Sequence, residues 1–409
     1  MGSRRNRLVY LVAVLALTVS LLAVGCTKEE ETTTLTPYAI PVMTDITGPL
    51  SVEAVPVMQG LDLWFDYLNR YEGGINGREI VLRYYDTRTD PSLVRSIHTK
   101  LVGDLDPAIE LHFVSGTASM IKDVLTEDHV VGYSAGGSAG AYIPPGWVFV
   151  GRSGMAEQVV NFTKWAMAKM ELDRPLKMGF LLADAYWGRE AELATPWLLA
   201  NGVEVVGVQY MSMAPTDLTP QLLALAALEP DYVCAIHMDP GMRLMCEQNA
   251  DLGTDLTFFG VPSWDATVLL DSPNPEVFEG MLQVFPLCQY TDDVPGITLL
   301  NDMVRETMPQ IYPPGGVLAH GWIQGMVATR VIQNVVDEFG WEGVTGDNVY
   351  NAFIAMDDID TMGMSAPLDW TENKKCGQTM SRIYEIIDGK PMDVSGWFEP
   401  EWAFTEGLF

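Results

Sequence analysis

Basic residues are scarce in this chain: 24 Lys and Arg stand against 54 Asp and Glu, a formal net charge of −30. Nucleic acid needs cationic patches for its phosphates, so this balance excludes it as a partner. Docking of the body on anionic lipid is excluded on the same ground. Cysteine is rare too, at five residues, none in a CxxC or other metal-type spacing. His98, His112, His129, His237 and His320 are scattered, so no metal is expected and each reads as a surface or packing residue. The patterns GxxxxGK(S/T), GxGxxG and HExxH are absent, and no cofactor is called for. Long apolar runs are missing except one, near the N-terminus.

That run extends from Leu8 to Val24, behind Arg4, Arg5 and Arg7. A basic start, an apolar middle and a small-residue exit describe a secretory signal over residues 1–25. Cys26, directly after Leu22-Ala23-Val24-Gly25, has the form of a bacterial lipobox, with Ala23 where such motifs favour Leu. Cys26 then becomes the acylated first residue. The alternative, an uncleaved anchor, needs ~20 apolar residues. Either way the remainder works outside the cytoplasm, as a membrane-anchored protein of the periplasm or cell surface. Residues 26–37 are polar, acidic and Thr-rich, a solvated tether. Exported thiols can oxidise, so Cys234, Cys246, Cys288 and Cys376 form one or two bridges or stay as buried free thiols.

The roughly 370 residues that follow suggest two domains. Short apolar strands alternate with amphipathic helices. Val57, Met58, Leu61, Trp64, Phe65 and Leu68 recur at helical spacing, and a strand follows at 80–85. Asp90-Pro91 opens a helix bearing Leu93, Val94, Ile97, Leu101 and Val102. Further strands are expected at 109–114, 130–134 and 147–151. A second series has strands at 177–182, 203–210, 232–236, 257–260 and 281–285. Its helices are expected at about 188–201, up to 228, and 241–252. Such alternation predicts an α/β fold of parallel sheets covered on both faces, doubly wound by the right-handed crossover rule. Beyond Phe285, helices at about 297–308, 317–339 and 347–356 precede a late strand at 382–387, so the chain crosses between domains more than once.

Ligands of open α/β sheets sit beyond the C-terminal ends of the strands. Two consecutive strand ends carry small hydroxyl residues and glycines: Ser115-Gly116-Thr117-Ala118-Ser119, and Ser134 through Gly140. Free N–H groups there suit a carboxylate or other anion, and glycines let backbone approach it. Gly136-Gly137-Ser138-Ala139-Gly140 also matches the GxSxG nucleophile elbow of serine hydrolases. That motif needs a helix directly after Ser138, and Pro144-Pro145 argues against one.

Taken together, several blocks resemble the branched-chain amino-acid (leucine/isoleucine/valine)-binding group of ABC-importer solute-binding proteins, with a type I periplasmic-binding-protein fold. They are Thr44-Asp45-Ile46-Thr47-Gly48-Pro49-Leu50, Gly73 through Ile80, and Tyr85-Asp86-Thr87-Arg88-Thr89-Asp90-Pro91. Tyr186-Trp187-Gly188, Glu279-Gly280-Met281, Pro367-Leu368-Asp369-Trp370 and Arg382-Ile383-Tyr384-Glu385 support them. The resemblance implies two lobes, 38–152 plus 289–365 and 153–288 plus 366–409, joined by three hinge crossovers near 151–154, 285–290 and 363–369. It implies a non-enzymatic binder that closes on a small amino acid or related carboxylate and delivers it to ABC permease subunits in the membrane. A ligand-sensing ectodomain with the same fold is the alternative.

By the same resemblance, Ser115, Gly137 and Ser138, with Thr117 close by, hold the ligand carboxylate. Glu53 stands where an aromatic residue is common; it contacts a ligand cation or faces solvent. The second lobe contributes Tyr186 or Trp187, then His237, Met238 and Asp239, then Ser263, Trp264 and Asp265. Asp239 or Asp265 meets the ligand ammonium. The Cys pair of the classical first lobe is replaced by Thr89 and Val114, so any disulfide is differently placed.

Overall fold

The computed structural model describes residues 35–113, 115–261, 272–357 and 359–398. Cys26, Ser263, Trp264 and Asp265 lie outside the described residues, as does Val114. Among the described residues no helix is long and apolar enough to cross a membrane.

Two sheets form the body. The first comprises β1 (Tyr38–Thr44), β2 (Ile80–Asp86), β3 (Ile109–His112), β4 (Val131–Ser134) and β5 (Val148–Val150), in the order β2-β1-β3-β4-β5. All its pairings are parallel. The helices α1 (Ser51–Tyr67) and α2 (Pro91–Leu105) connect the first three strands in chain order. Val57, Leu61, Trp64, Phe65 and Leu68 are buried as the spacing predicts. Asp90 caps α2 by accepting from the backbone N of Ser92 at 2.8 Å and of Leu93 at 3.1 Å. The strand β1 is central yet contains Pro41, which normally demotes a strand. The pairing with β3 begins only at Val42, so Pro41 meets a partner on one side alone.

After β5 the chain passes to α3 (Met155–Lys169), whose Val159, Val160, Phe162 and Ala166 pack on the second sheet. That sheet contains β6 (Leu176–Ala183), β7 (Val203–Met211), β8 (Tyr232–Ile236), β9 (Phe258–Gly260), β10 (Leu282–Phe285), β11 (Arg382–Ile387) and β12 (Lys390–Asp393). Its order is β12-β11-β10-β9-β8-β6-β7, and only β11 runs against the others, so its pairings with β10 and β12 are antiparallel and the rest are parallel. The helices α4 (Thr219–Ala226) and α5 (Asp239–Leu252) cover it. The expected helix at 188–201 is instead three short pieces: Tyr186–Arg189, a 3-10 stretch Glu190–Ala194, and Thr195–Ala200. Pro196 has no N–H to continue the i→i−4 ladder, which accounts for the break.

Past β10 the chain returns to the first sheet as α6 (Pro295–Thr307), α7 (Gly316–Phe339) and α8 (Gly346–Ala355), all packed in one apolar cluster with β1, β3 and β4. It crosses a third time to reach β11. On the way Trp370 packs with Tyr133 and Phe353 and donates from Nε1 to Val150 O at 2.9 Å, and Cys376 bridges Val150. Cys234, Cys246, Cys288 and Cys376 are buried free thiols, which selects that alternative over bridges. His98, His112, His237 and His320 are buried and His129 is exposed.

Candidate functional site

The strand ends of both sheets face one pocket of about 60 Å³, lined by Leu50, Glu53, Phe113, Ser115, Gly136, Gly137, Ser138, Arg152, Met155, Tyr186, Trp187, Glu190 and Met238. Each lining residue is placed by a strand-end loop or a crossover. The loop after β1 is tied by Asp45, whose carboxylate accepts from Gly48 N at 2.6 Å and Leu50 N at 2.9 Å. That fixes the start of α1 and brings Glu53 to the pocket. Ser115 opens the short helix Ser115–Met120 after β3. Gly136 to Ser138 follow β4, and a Cβ at Gly137 would collide with the carbonyls of Arg152 and Ser153. From the second sheet come Tyr186, Trp187 and Glu190 after β6, and Met238 after β8.

Seven expected site residues therefore meet here: Glu53, Ser115, Gly137, Ser138, Tyr186, Trp187 and Met238. Three do not line this pocket. Thr117 is fully buried, with Oγ1 3.2 Å from His112 Nδ1. His237 is buried with Nε2 3.0 Å from Ser212 O and Nδ1 3.2 Å from Met238 O. Asp239 lines a wider neighbouring cleft of about 790 Å³, together with Glu53, Arg243 and Tyr312.

Sequence reasoning missed Arg152 and Glu190. Arg152 is buried, at 6 % exposure, in the crossover after β5. Its Nη1 donates to Ser153 O at 3.3 Å, and its Nε has no hydrogen-bond partner. Burial pulls its pKa down to about 10, against the charges of Glu53 and Glu190. Glu190 stands four residues after Tyr186, a helical spacing that would have flagged it. Its Oε1 accepts from Ala139 N at 2.9 Å. Burial raises its pKa, while hydrogen bonds from Ala139 and Ser138 hold it down. Glu190 thus ties the second sheet's loop to the first. Beside it, Glu157 accepts a hydrogen bond from Tyr142, and burial pushes its carboxyl up to about 7. An apolar wall also spans the pocket, with Leu50 and Phe113 on one side and Met238 and Trp187 on the other.

One expectation about Ser138 is corrected. A helical turn, Ala139–Tyr142, does follow it directly. The turn is only four residues long, because Pro144 cannot extend it. The turn falls short of the helix such an elbow has, and the hydrogen-bond partner of Ser138 is the carboxyl of Glu190 in place of an imidazole.

A family model described as "Periplasmic binding protein" matches residues 37–390. The chain belongs to the periplasmic binding protein family, and its two parallel-sheet lobes with three crossovers are the type I fold of that family. Among curated proteins it is similar to Leu/Ile/Val-binding protein homolog 1 of Brucella suis, with 25% identity over 250 residues. That match covers 59% of this chain and 64% of the relative, so it spans less than two thirds of the relative's length. A branched-chain amino acid ABC transporter protein from Thermus thermophilus with bound valine superposes with TM-score 0.81 at 17% identity, covering 89% of this chain and 97% of that one. A fatty acid ABC transporter substrate-binding protein from Thermomonospora curvata gives TM-score 0.78 at 19% identity, covering 90% and 93%. At these identities the structures establish the fold.

Proposed function

We propose that this protein is an extracytoplasmic solute-binding protein of an ABC importer, binding a small amino acid or related carboxylate between two lobes and delivering it to a membrane permease. The observation that carries this reading is the pocket itself. It lies where the strand ends of both sheets meet, and its walls come from both sides of the crossovers. Hinge closure around a ligand is the motion such a layout supports, and burial among a few polar groups and an apolar wall is how such sites select. Non-catalytic binding is the family's business and this chain's too.

The lobes in this reading are 38–152 plus 289–365 and 153–288 plus 366–409. The stretch around Trp370 and Cys376, which leans on Val150, forms the third hinge. Cys26 carries the lipid, and the Thr-rich tether holds the receptor near its permease, raising its local concentration there. The intact mass of membrane-extracted chain reads this directly: it should begin at Cys26 and carry acyl groups.

Ser115 and Ser138 are ligand contacts in this account. Replacing both, Ser115→Ala with Ser138→Ala, should weaken binding by about 1.5–3 kcal/mol for each charge-assisted hydrogen bond lost. The measurement is titration calorimetry with a panel of amino acids and short carboxylic acids, on protein whose melting curve shows it folded. Unchanged affinity for every panel compound would remove these two residues from the site.

A further inference from the structure

We propose that Arg152 is the receptor for an acid group on the ligand, reading it from the pocket floor where the crossovers meet. This rests on the reading of the pocket as a solute site and names the group that sets its selectivity.

Arg152 lines two cavities at once. One is the ligand pocket. The other is a space of about 10 Å³ bounded by Gly151 from the first crossover, Leu287 from the second, Ser365 and Leu368 from the third, and His320 and Gln324 of α7. A contact made by this guanidinium is therefore felt where the lobes pivot.

The guanidinium is also underused. An arginine offers five N–H donors. Here the donor bond shown is one to Ser153 O at 3.3 Å, and the buried Nε has no partner. A buried cation with unfilled donors is costly, and a carboxylate is the group whose geometry matches it. The nearby acid of Glu190 is committed elsewhere, to Ala139 N and Ser138. That commitment has a second effect: the Ala139 N–H, part of the loop expected to hold a ligand carboxylate, is already taken by the protein's own acid. Arg152 is then the charged donor left for the ligand, beside the hydroxyl of Ser115. Glu53 and Glu190 line the same pocket, so a ligand bearing an ammonium besides its acid keeps the buried charge in better balance than a plain carboxylate.

A purely structural Arg152, serving only as counter-charge to Glu53 and Glu190, would not care whether the ligand has an acid or an amide. The test uses matched pairs: valine and valinamide, phenylalanine and phenylalaninamide, hexanoate and hexanamide, each titrated into the full folded protein. The expected result is that the wild type prefers the acid of its best-bound pair by about 10-fold or more. Arg152→Gln loses that preference, and Arg152→Lys, which keeps the charge, retains part of it. Equal binding of acid and amide by the wild type overturns the inference, as does a preference that survives Arg152→Gln. If Arg152→Gln does not fold, the wild-type comparison and Arg152→Lys still decide. Binding of no compound from any pair overturns the solute-site reading itself, and this inference with it.

Discussion

Glu157 shows most clearly how burial shapes individual residues here. Burial lifts its carboxyl from 4.5 to about 7, despite the hydrogen bond from Tyr142. The folded state therefore holds a proton that the unfolded state releases between those values. Stability falls as pH rises through that window, by about 3 kcal/mol in total. Glu190 acts with the same sign, its pKa raised by burial. A second buried group lies behind the Ser115 loop: His98 Nδ1 is 2.8 Å from Glu110 Oε1, and His98 Nε2 is 3.0 Å from Asp128 Oδ2. Burial lowers His98, but Glu110 and Asp128 outweigh it and hold it above 6.5, so its contribution is full below 6.5 and lost as pH rises through its folded value. Burial raises Glu110, but His112 and His98 outweigh it; its contribution is present above 4.5 and lost on acidification. Replacing Glu157 isolates one group from this set. Glu157→Gln keeps an acceptor for Tyr142 and removes the charge. Denaturant unfolding should find it more stable than wild type by about 3 kcal/mol at pH 8 and nearly equal at pH 4.5. A difference that does not change with pH would refute the assignment.

Among the elements, α1 and α7 pack closely through glycines. A Cβ at Gly60 would strike Leu318 O, and one at Gly321 would strike Val57 O, so the two helices meet backbone to backbone. Gly321→Ala should lower stability by about 1–3 kcal/mol or more, since backbone cannot yield as a side chain does. Gly103→Ala, on exposed α2 with nothing near its Cβ, should instead gain about 0.5–1 kcal/mol. Parallel thermal melts of the two variants check both signs. The strand–helix rhythm that made the fold legible comes from elements with one apolar face, such as α1 and α2. Several elements hid from it, β1 and α3 for a visible reason. Pro41 disguises β1, and in α3 the buried face mixes Glu157, Gln158, Asn161 and Thr163 with Val159 and Phe162, which breaks the apolar stripe. The site followed the same logic. Strand-end loops advertised Glu53, Ser115, Gly137, Ser138, Tyr186 and Trp187. Arg152 was silent because it lies in a crossover, where strand and helix patterns give no register; Glu190 carried a signal, its helical spacing from Tyr186, that went unused.

At the scale of the whole molecule, the chain visits each lobe twice and the three connections converge beside the candidate pocket. Contacts already join the two sides: Glu190 to Ala139, Tyr186 Oη against Gly116, and Leu50 and Phe113 with Met238 and Trp187. These are the contacts a closed receptor would make, and on the second sheet they come from the loops after β6 and β8. Arg152 lies between this pocket and the space bounded by the three crossovers. The most direct test of this account is native mass spectrometry of the full-length protein extracted from its own membranes and then offered the amino-acid and carboxylic-acid panel. The account predicts one small acid-bearing molecule per chain, retained in the folded protein, released on unfolding and lost in Arg152→Gln. A folded chain that carries no small molecule and takes none up from the panel would contradict it.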